Sequence, residues 1–181
     1  MKPICQNCHT PFERVSYVPG CEPEYECLCG WSFPPNNLKW DHDYLAKAKF
    51  WAKRKSKDPS TQCGAIIVRP NRSEVSSGYN GFAQGMDDDE KLYDNRPVKY
   101  SRVIHAEMNA AIFAREDITD CTLYTWPFAP CDRCAVHMIQ FGIRRVVAPV
   151  TPLGSKMAED IARGLKFFQE AHVPVTLYSH E

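Results

Sequence analysis

Apolar residues Tyr44, Leu45, Ala48, Trp51 and Ala52 recur at near-helical spacing, predicting a helix capped by Asp41 and running to about Lys55. After it the pattern changes period. Residues 63–69 and 74–79 read as strands, and Pro70-Asn71-Arg72-Ser73 between them supplies turn chemistry for a hairpin. An irregular segment from Asn80 to about Val98 follows. Beyond it, strand and helix signals alternate: helix 105–116, strand 121–126, helix 131–141, strand 144–149, helix 155–171, strand 174–178. In the last helix Ser155 is the expected cap, Glu159 and Asp160 sit near the start, and Met157, Ile161, Leu165 and Phe168 form one core stripe. Such alternation implies parallel strands joined by right-handed crossovers with helices on both faces, a three-layer α/β/α sandwich of the α/β class.

Composition narrows this picture. The chain has 181 residues, 44% hydrophobic and 12% aromatic, enough for one core and a small appendage. Lys plus Arg total 22 and Asp plus Glu total 22, so no global positive field gathers nucleic acid, and any polyanion site must be a local patch. Lys47, Lys49, Lys53, Arg54, Lys55 and Lys57 mark one candidate, either a solvated helix face or a phosphate or nucleic-acid patch. The acidic run Asp87-Asp88-Asp89-Glu90 reads as a solvated loop or helix start, or as a metal-dependent nucleotide site. The start has no apolar signal core, and no stretch approaches the roughly 18 apolar residues of a membrane span, so a cytoplasmic location and no membrane partner are expected. In that compartment nine cysteines read first as metal ligands rather than a disulfide framework. Five of them lie within residues 1–36, and the turn-forming run at 33–37 divides a module 1–37 from a domain 38–181.

The chemistry concentrates at His105-Ala106-Glu107 and Pro130-Cys131-Asp132-Arg133-Cys134, each at a predicted helix start. Together they fit the H-x-E and P-C-x-x-C signature of zinc deaminases, in which the histidine and both cysteines hold metal and the glutamate does not. Cysteines at i and i+3 of a first turn can aim at one ion, and Pro130 is preorganised for a helix start. The positive helix end lowers thiol pKa values and makes thiolates available. His105 and Glu107 both tilt toward the open N-terminal end, so one can bind zinc while the other faces substrate. Three protein ligands leave a fourth tetrahedral position for water, as in catalytic sites, whereas a structural site would show a fourth protein ligand.

On these residues the chain resembles the cytidine and deoxycytidylate deaminase superfamily, and within it the deoxycytidylate (dCMP) deaminases. The likeness covers about residues 40–181 and includes Ser56-Lys57-Asp58-Pro59-Ser60-Thr61-Gln62, Gly78-Tyr79-Asn80-Gly81-Phe82 and Met108-Asn109-Ala110-Ala111. It implies a cytidine deaminase-like mixed five-stranded sheet and conversion of dCMP to dUMP with release of ammonia, Glu107 moving the protons. It also implies that Asn80 contacts the sugar and that the Ala106 backbone faces the pyrimidine carbonyl. A homo-oligomer switched by dCTP and dTTP is implied as well, with residues 81–99 a candidate effector site: acidic groups for Mg2+ stand beside Lys91, Arg96 and Lys99 for phosphates. An ordinary surface insertion is the alternative. Where the family often has Tyr-Val-Thr before its cysteines, this chain has Tyr124-Thr125-Trp126-Pro127-Phe128-Ala129-Pro130, a difference at the rim near the leaving amine.

The N-terminal module adds Cys5, Cys8, Cys27 and Cys29, resembling a zinc ribbon that holds one structural zinc in place of a core; Cys21 or His9 could substitute as a ligand. Two other functions compete. One is a deaminase acting on cytosine or adenine in RNA or single-stranded DNA, gripped by the ribbon and the Lys47–Lys57 face. The other is a catalytically silent binding protein, against which the retained Glu107 argues.

Overall fold

The computed structural model describes residues 3–4, 13–16, 24–26, 38–151 and 154–178. The strands in chain order are β1 (Pro3–Ile4), β2 (Glu13–Ser16), β3 (Glu24–Glu26), β4 (Gly64–Val68), β5 (Glu74–Tyr79), β6 (Gly81–Phe82), β7 (Val103–Ile104), β8 (Thr122–Trp126), β9 (Arg145–Pro149) and β10 (Val175–Tyr178). The helices are α1 (Leu38–Lys55), α2 (Arg96–Arg102), α3 (Ala106–Ala114), α4 (Asp132–Gln140) and α5 (Ala158–Glu170).

The main sheet runs β1-β10-β9-β8-β4-β5. Strands β8, β9 and β10 are parallel, whereas β4 is antiparallel to both β5 and β8. The expected mixed five-stranded sheet is therefore present, and β1 extends it by two residues antiparallel to β10. Every residue of β4, β9 and β10 is buried, which explains their continuous apolar character: both sheet faces are covered. The steps β8–α4–β9 and β9–α5–β10 move the same way across the sheet, so two right-handed crossovers place both helices on one face. There α3, α4 and α5 bury Ala110, Met138, Ile161 and Phe168 against Ile67, Leu123, Val146 and Leu177. On the other face α1 sets Tyr44, Leu45 and Ala48 on Ile66, Tyr124, Val147 and Tyr178. Gly64 permits the close approach of α1, because a Cβ there would lie 2.1 Å from the Ala48 carbonyl oxygen.

Asp41 differs from its expected role. The helix begins at Leu38, and Asp41, fully buried, receives both guanidinium nitrogens of Arg145 (2.9 and 2.7 Å) and the hydroxyls of Tyr124 (2.9 Å) and Tyr178 (2.8 Å). A carboxylate close to the first turn can cap its own helix or reach into the sheet; here the sheet supplies a cation and two hydroxyls, and wins. Ser155 is displaced from its expected role too: its Oγ accepts from the Met157 N–H (3.3 Å) in a turn preceding α5, which starts at Ala158. Within the segment expected to be irregular, β6 pairs with β7, a 3-10 turn spans Glu90–Tyr93, and α2 starts under an Asn95 cap. The expected core stripe of α5 holds, with Ile161 and Phe168 buried and Met157 and Leu165 packed beside them.

Candidate active site

His105 and Cys131 each occupy the N-cap position of a helix, α3 and α4 respectively, in extended backbone conformation. The His105 ring makes no capping bond to its own helix, while the Cys131 sulfur lies close to the Cys134 backbone N–H in the first turn of α4. Both helices thus start one residue later than the sequence suggested. Two helix N-termini converge on one spot, and their partial positive charge favours thiolate there. The His105 Nδ1 lies 3.5 Å from the Cys131 Sγ and 3.3 Å from the Cys134 Sγ, and the three donor atoms all lie within 4.8 Å of one another.

These separations fit zinc. Metal–sulfur and metal–nitrogen bonds of about 2.3 and 2.0–2.1 Å at tetrahedral angles put donor atoms about 3.6–3.8 Å apart. The Cys134 thiol donates to Cys131, which, with a second bond from His105 and against the effect of burial, falls to about 4. Bonding to Cys131 raises His105 to about 9, and the same contact with Cys131, reinforced by burial, pushes the Cys134 thiol up. Without a metal Cys131 is the thiolate, and a divalent cation held by all three donors would displace the protons on His105 and Cys134.

Glu107, one turn position beyond, is 8% exposed. Burial raises its pKa, opposed by the positive His105, and its carboxylate contacts the Cys134 thiol. It stands against the cluster without being one of the three grouped donors. Ala106, between the two, is buried, and the first intrahelical bond of α3 runs from the Asn109 N–H to the His105 carbonyl (2.9 Å). The Ala106 N–H therefore has no acceptor within the helix.

Two glycines bring this site together. A Cβ on Gly78 would lie 2.3 Å from the Ala106 carbonyl oxygen, so only glycine lets β5 meet the first turn of α3. A Cβ on Gly164 would lie 2.4 Å from the Pro130 carbonyl oxygen, so α5 seats directly on the strand-to-helix turn that carries Cys131. Arg163 adds an ion pair to Asp132 (2.8 Å). Gly164 gave no sequence signal, being a lone glycine inside a helical stripe.

Asn80 is brought near but turned inward. Its Oδ1 accepts from the Ser56 hydroxyl (2.7 Å) and the Cys63 N–H (2.7 Å), and its Nδ2 donates to the Thr61 carbonyl (2.8 Å) and to Asp58 Oδ2 (3.3 Å). Both amide donors and both acceptor positions are thereby used. Lys99, expected among phosphate ligands, instead pairs with Asp58 (2.6 Å) and donates to the Ser60 hydroxyl (2.7 Å). Trp126 packs on the α1 face of the sheet under Lys49, not on the face carrying the cluster. Of the basic α1 face, Lys47 pairs with Glu74 and Lys57 with Asp88, while Arg54 and Lys55 lie over Phe50 and Trp51. Cys5, Cys8, Cys27 and Cys29 lie outside the described residues. No helix among the described residues is long and apolar enough to cross a membrane.

A sandwich of this topology, with one histidine and two cysteines at paired helix starts beside a buried glutamate, defines the class of zinc-site deaminase folds. The chain belongs to the cytidine and deoxycytidylate deaminase family: the family model for the zinc-binding region matches residues 38–150. It is 42% identical over 123 residues to a deaminase of the luxG 3' region of Aliivibrio fischeri, a match covering 67% of this chain and 82% of that protein. It is 38% identical over 116 residues to the deoxycytidylate deaminase of Homo sapiens, covering 61% of this chain and 64% of the human one, which is less than two thirds of the latter. Among solved structures, the dCMP deaminase of cyanophage S-TIM5 in complex with dCMP and dUMP superposes with a TM-score of 0.63 at 21% identity, covering 79% of this chain and 99% of that one.

Proposed function

We propose that the chain deaminates a cytosine nucleotide, dCMP to dUMP, with release of ammonia. The observation that carries this is the pairing of a three-donor metal cluster with a buried glutamate beside it. Zinc held by His105, Cys131 and Cys134 supplies a Lewis acid that lowers the pKa of water. Glu107, its pKa raised by burial, stands where it can move protons between the water and the substrate. It takes one proton from the attacking water and delivers it to ring N3. It then carries the second to the departing amine, so ammonia leaves and the product keeps its N3 proton. The Ala106 N–H, with no acceptor inside α3, supports the expected contact with the pyrimidine carbonyl, whereas the Asn80 amide would reach the sugar only by giving up one of its four inward bonds. The relatives named above support the choice of dCMP.

The same reading includes further parts. A cavity of about 420 Å3 lined by Lys55, Lys57, Phe82, Asp88 and Tyr93, though by none of Lys91, Arg96 and Lys99, supports an effector site for dCTP and dTTP beside residues 81–99, with Mg2+ at the acidic run. Exposed Phe50, Met86, Ile112 and Phe113 support a homo-oligomer. The antiparallel pairing of β2 with β3, between the two cysteine pairs, supports a ribbon with its own zinc over residues 1–37, ahead of a deaminase domain starting at α1.

Ammonia release across cytidine, dCMP, dCTP and a cytosine-containing oligonucleotide tests the substrate. Turnover of dCMP above the others is expected. Inert dCMP with a reactive oligonucleotide would replace the nucleotide reading by that of a polynucleotide deaminase.

A further inference from the structure

The loop before β4 is clasped to the 81–102 segment by two oppositely oriented ion pairs from adjacent residues. Lys57 meets Asp88 (2.9 Å) at the surface, and Asp58 meets Lys99 (2.6 Å) beneath it. The outer pair is exposed and contributes little. The inner pair is different: the side chains of Asp58 and Lys99 are 1% and 12% exposed. Asp58 Oδ1 is held by the Ser60 N–H, the Ser60 hydroxyl and the Thr61 N–H, all within its own loop. Oδ2 faces only Lys99 and the Asn80 amide. Among the described residues Lys99 is the one cation paired with this carboxylate.

From Asp58 the chain of contacts leads to the reacting centre. Asn80 ties to Cys63 in both directions, its Oδ1 accepting from the Cys63 N–H (2.7 Å) and its own N–H donating to the Cys63 carbonyl (3.2 Å). Cys63 packs against the core cluster that contains Ala106, and its thiol, pushed up by burial, feels the charges of Glu107, Asp58, Cys131 and Lys99. Residue 63 therefore joins the latch, through Asn80, to the core on which the first turn of α3 is seated.

We propose that Lys99 is a positioning residue: by pairing with Asp58 it holds the Asn80 amide and the Cys63 backbone in place on the substrate side of the site. Without the ammonium, a carboxylate buried among its own loop's donors has no counter-charge. It protonates or turns outward, and the Asn80 bond of 3.3 Å, the longest of the four, is the first lost. The effect on turnover rests on the deaminase reading above; the latch itself does not.

Hydrogen exchange on the zinc-loaded full chain reads the latch directly. Lys99→Met should speed exchange about ten-fold in peptides covering residues 58–63 and 79–82 and leave α4 and α5 unchanged, while Lys99→Arg stays near wild type. In steady-state kinetics Lys99→Met should raise KM for dCMP about ten-fold with kcat within about three-fold and zinc content unchanged. Adding Asp58→Asn should make it no worse, because both changes break one contact. Unchanged exchange at 58–63 and 79–82, or equal acceleration everywhere, overturns the latch. A fall in kcat at constant KM overturns its role in positioning. Absence of dCMP turnover in the wild type would count against the deaminase reading alone, and the exchange pattern would still decide the latch.

Discussion

Glu107 and Cys131 face one small volume with different tasks, and a substitution at each separates them. Glu107→Gln should cut turnover by about 10²–10⁴-fold while zinc content and fold persist, since the carboxylate moves protons and contributes no metal bond. Cys131→Ser should lose zinc first. Metal analysis beside an ammonia assay checks both, and equal zinc loss in the two variants would make Glu107 a ligand. Asp58 gives a residue-scale prediction for pH. Burial pushes its carboxyl up, but bonds from Lys99 and Ser60 outweigh this and leave it below the ordinary value of 3.8. The stability it lends is complete above that value and is lost as pH falls through the lower native one. The stability gap between wild type and Asp58→Asn should therefore close as pH drops from about 6 to below that point; a gap that widens in acid would contradict the pairing. His105, Glu107, Cys131 and Cys134 were legible because they match the H-x-E and P-C-x-x-C signature and fall at predicted helix starts. The inward turn of Asn80 was not, since its side-chain partners lie 17 to 24 positions away in the chain.

Elements carry their own dependencies, and α5 shows this most directly. Gly164→Val would drive side-chain atoms into the Pro130–Asp132 backbone, where neighbours already approach to 2.4–3.1 Å of a single added carbon. Such overpacking costs about 1–3 kcal/mol and should shift the Cys131 turn, so zinc competition titration should show weaker binding although residue 164 is not itself a ligand. Unaltered affinity would mean the turn is held from β8 instead. On the opposite face, Arg145→Met strands the buried Asp41 carboxylate and should destabilise the fold by about 3–5 kcal/mol in a denaturant titration. Period and alternation made α1, α4, α5 and the five long strands readable before any coordinates. β6 and β7 were hidden because two residues are too few to show a period, and α2 because its seven residues bury no apolar stripe. Asp41 misled for a physical reason: the same carboxylate suits a cap and a buried ion pair, and only the distant Arg145 decides.

For the whole molecule, the proposed ribbon makes zinc stoichiometry the discriminating quantity. Two ions per chain are expected, falling to one in a Cys5→Ser, Cys8→Ser double variant with deamination of dCMP retained; a single ion in the full chain would remove the ribbon. The placing of the ligands also bears on how the protein comes apart. His105 sits 26 and 29 positions before the two cysteines, and these residues reach one another only when α3 and α4 are both seated on the sheet. Unfolding disperses them, so metal occupancy and native structure obey one mass-action law. Each ten-fold rise in free zinc above saturation should add about 1.4 kcal/mol of stability per ion released, so a plot of unfolding free energy against the logarithm of free zinc counts, by its slope, the ions the native chain holds.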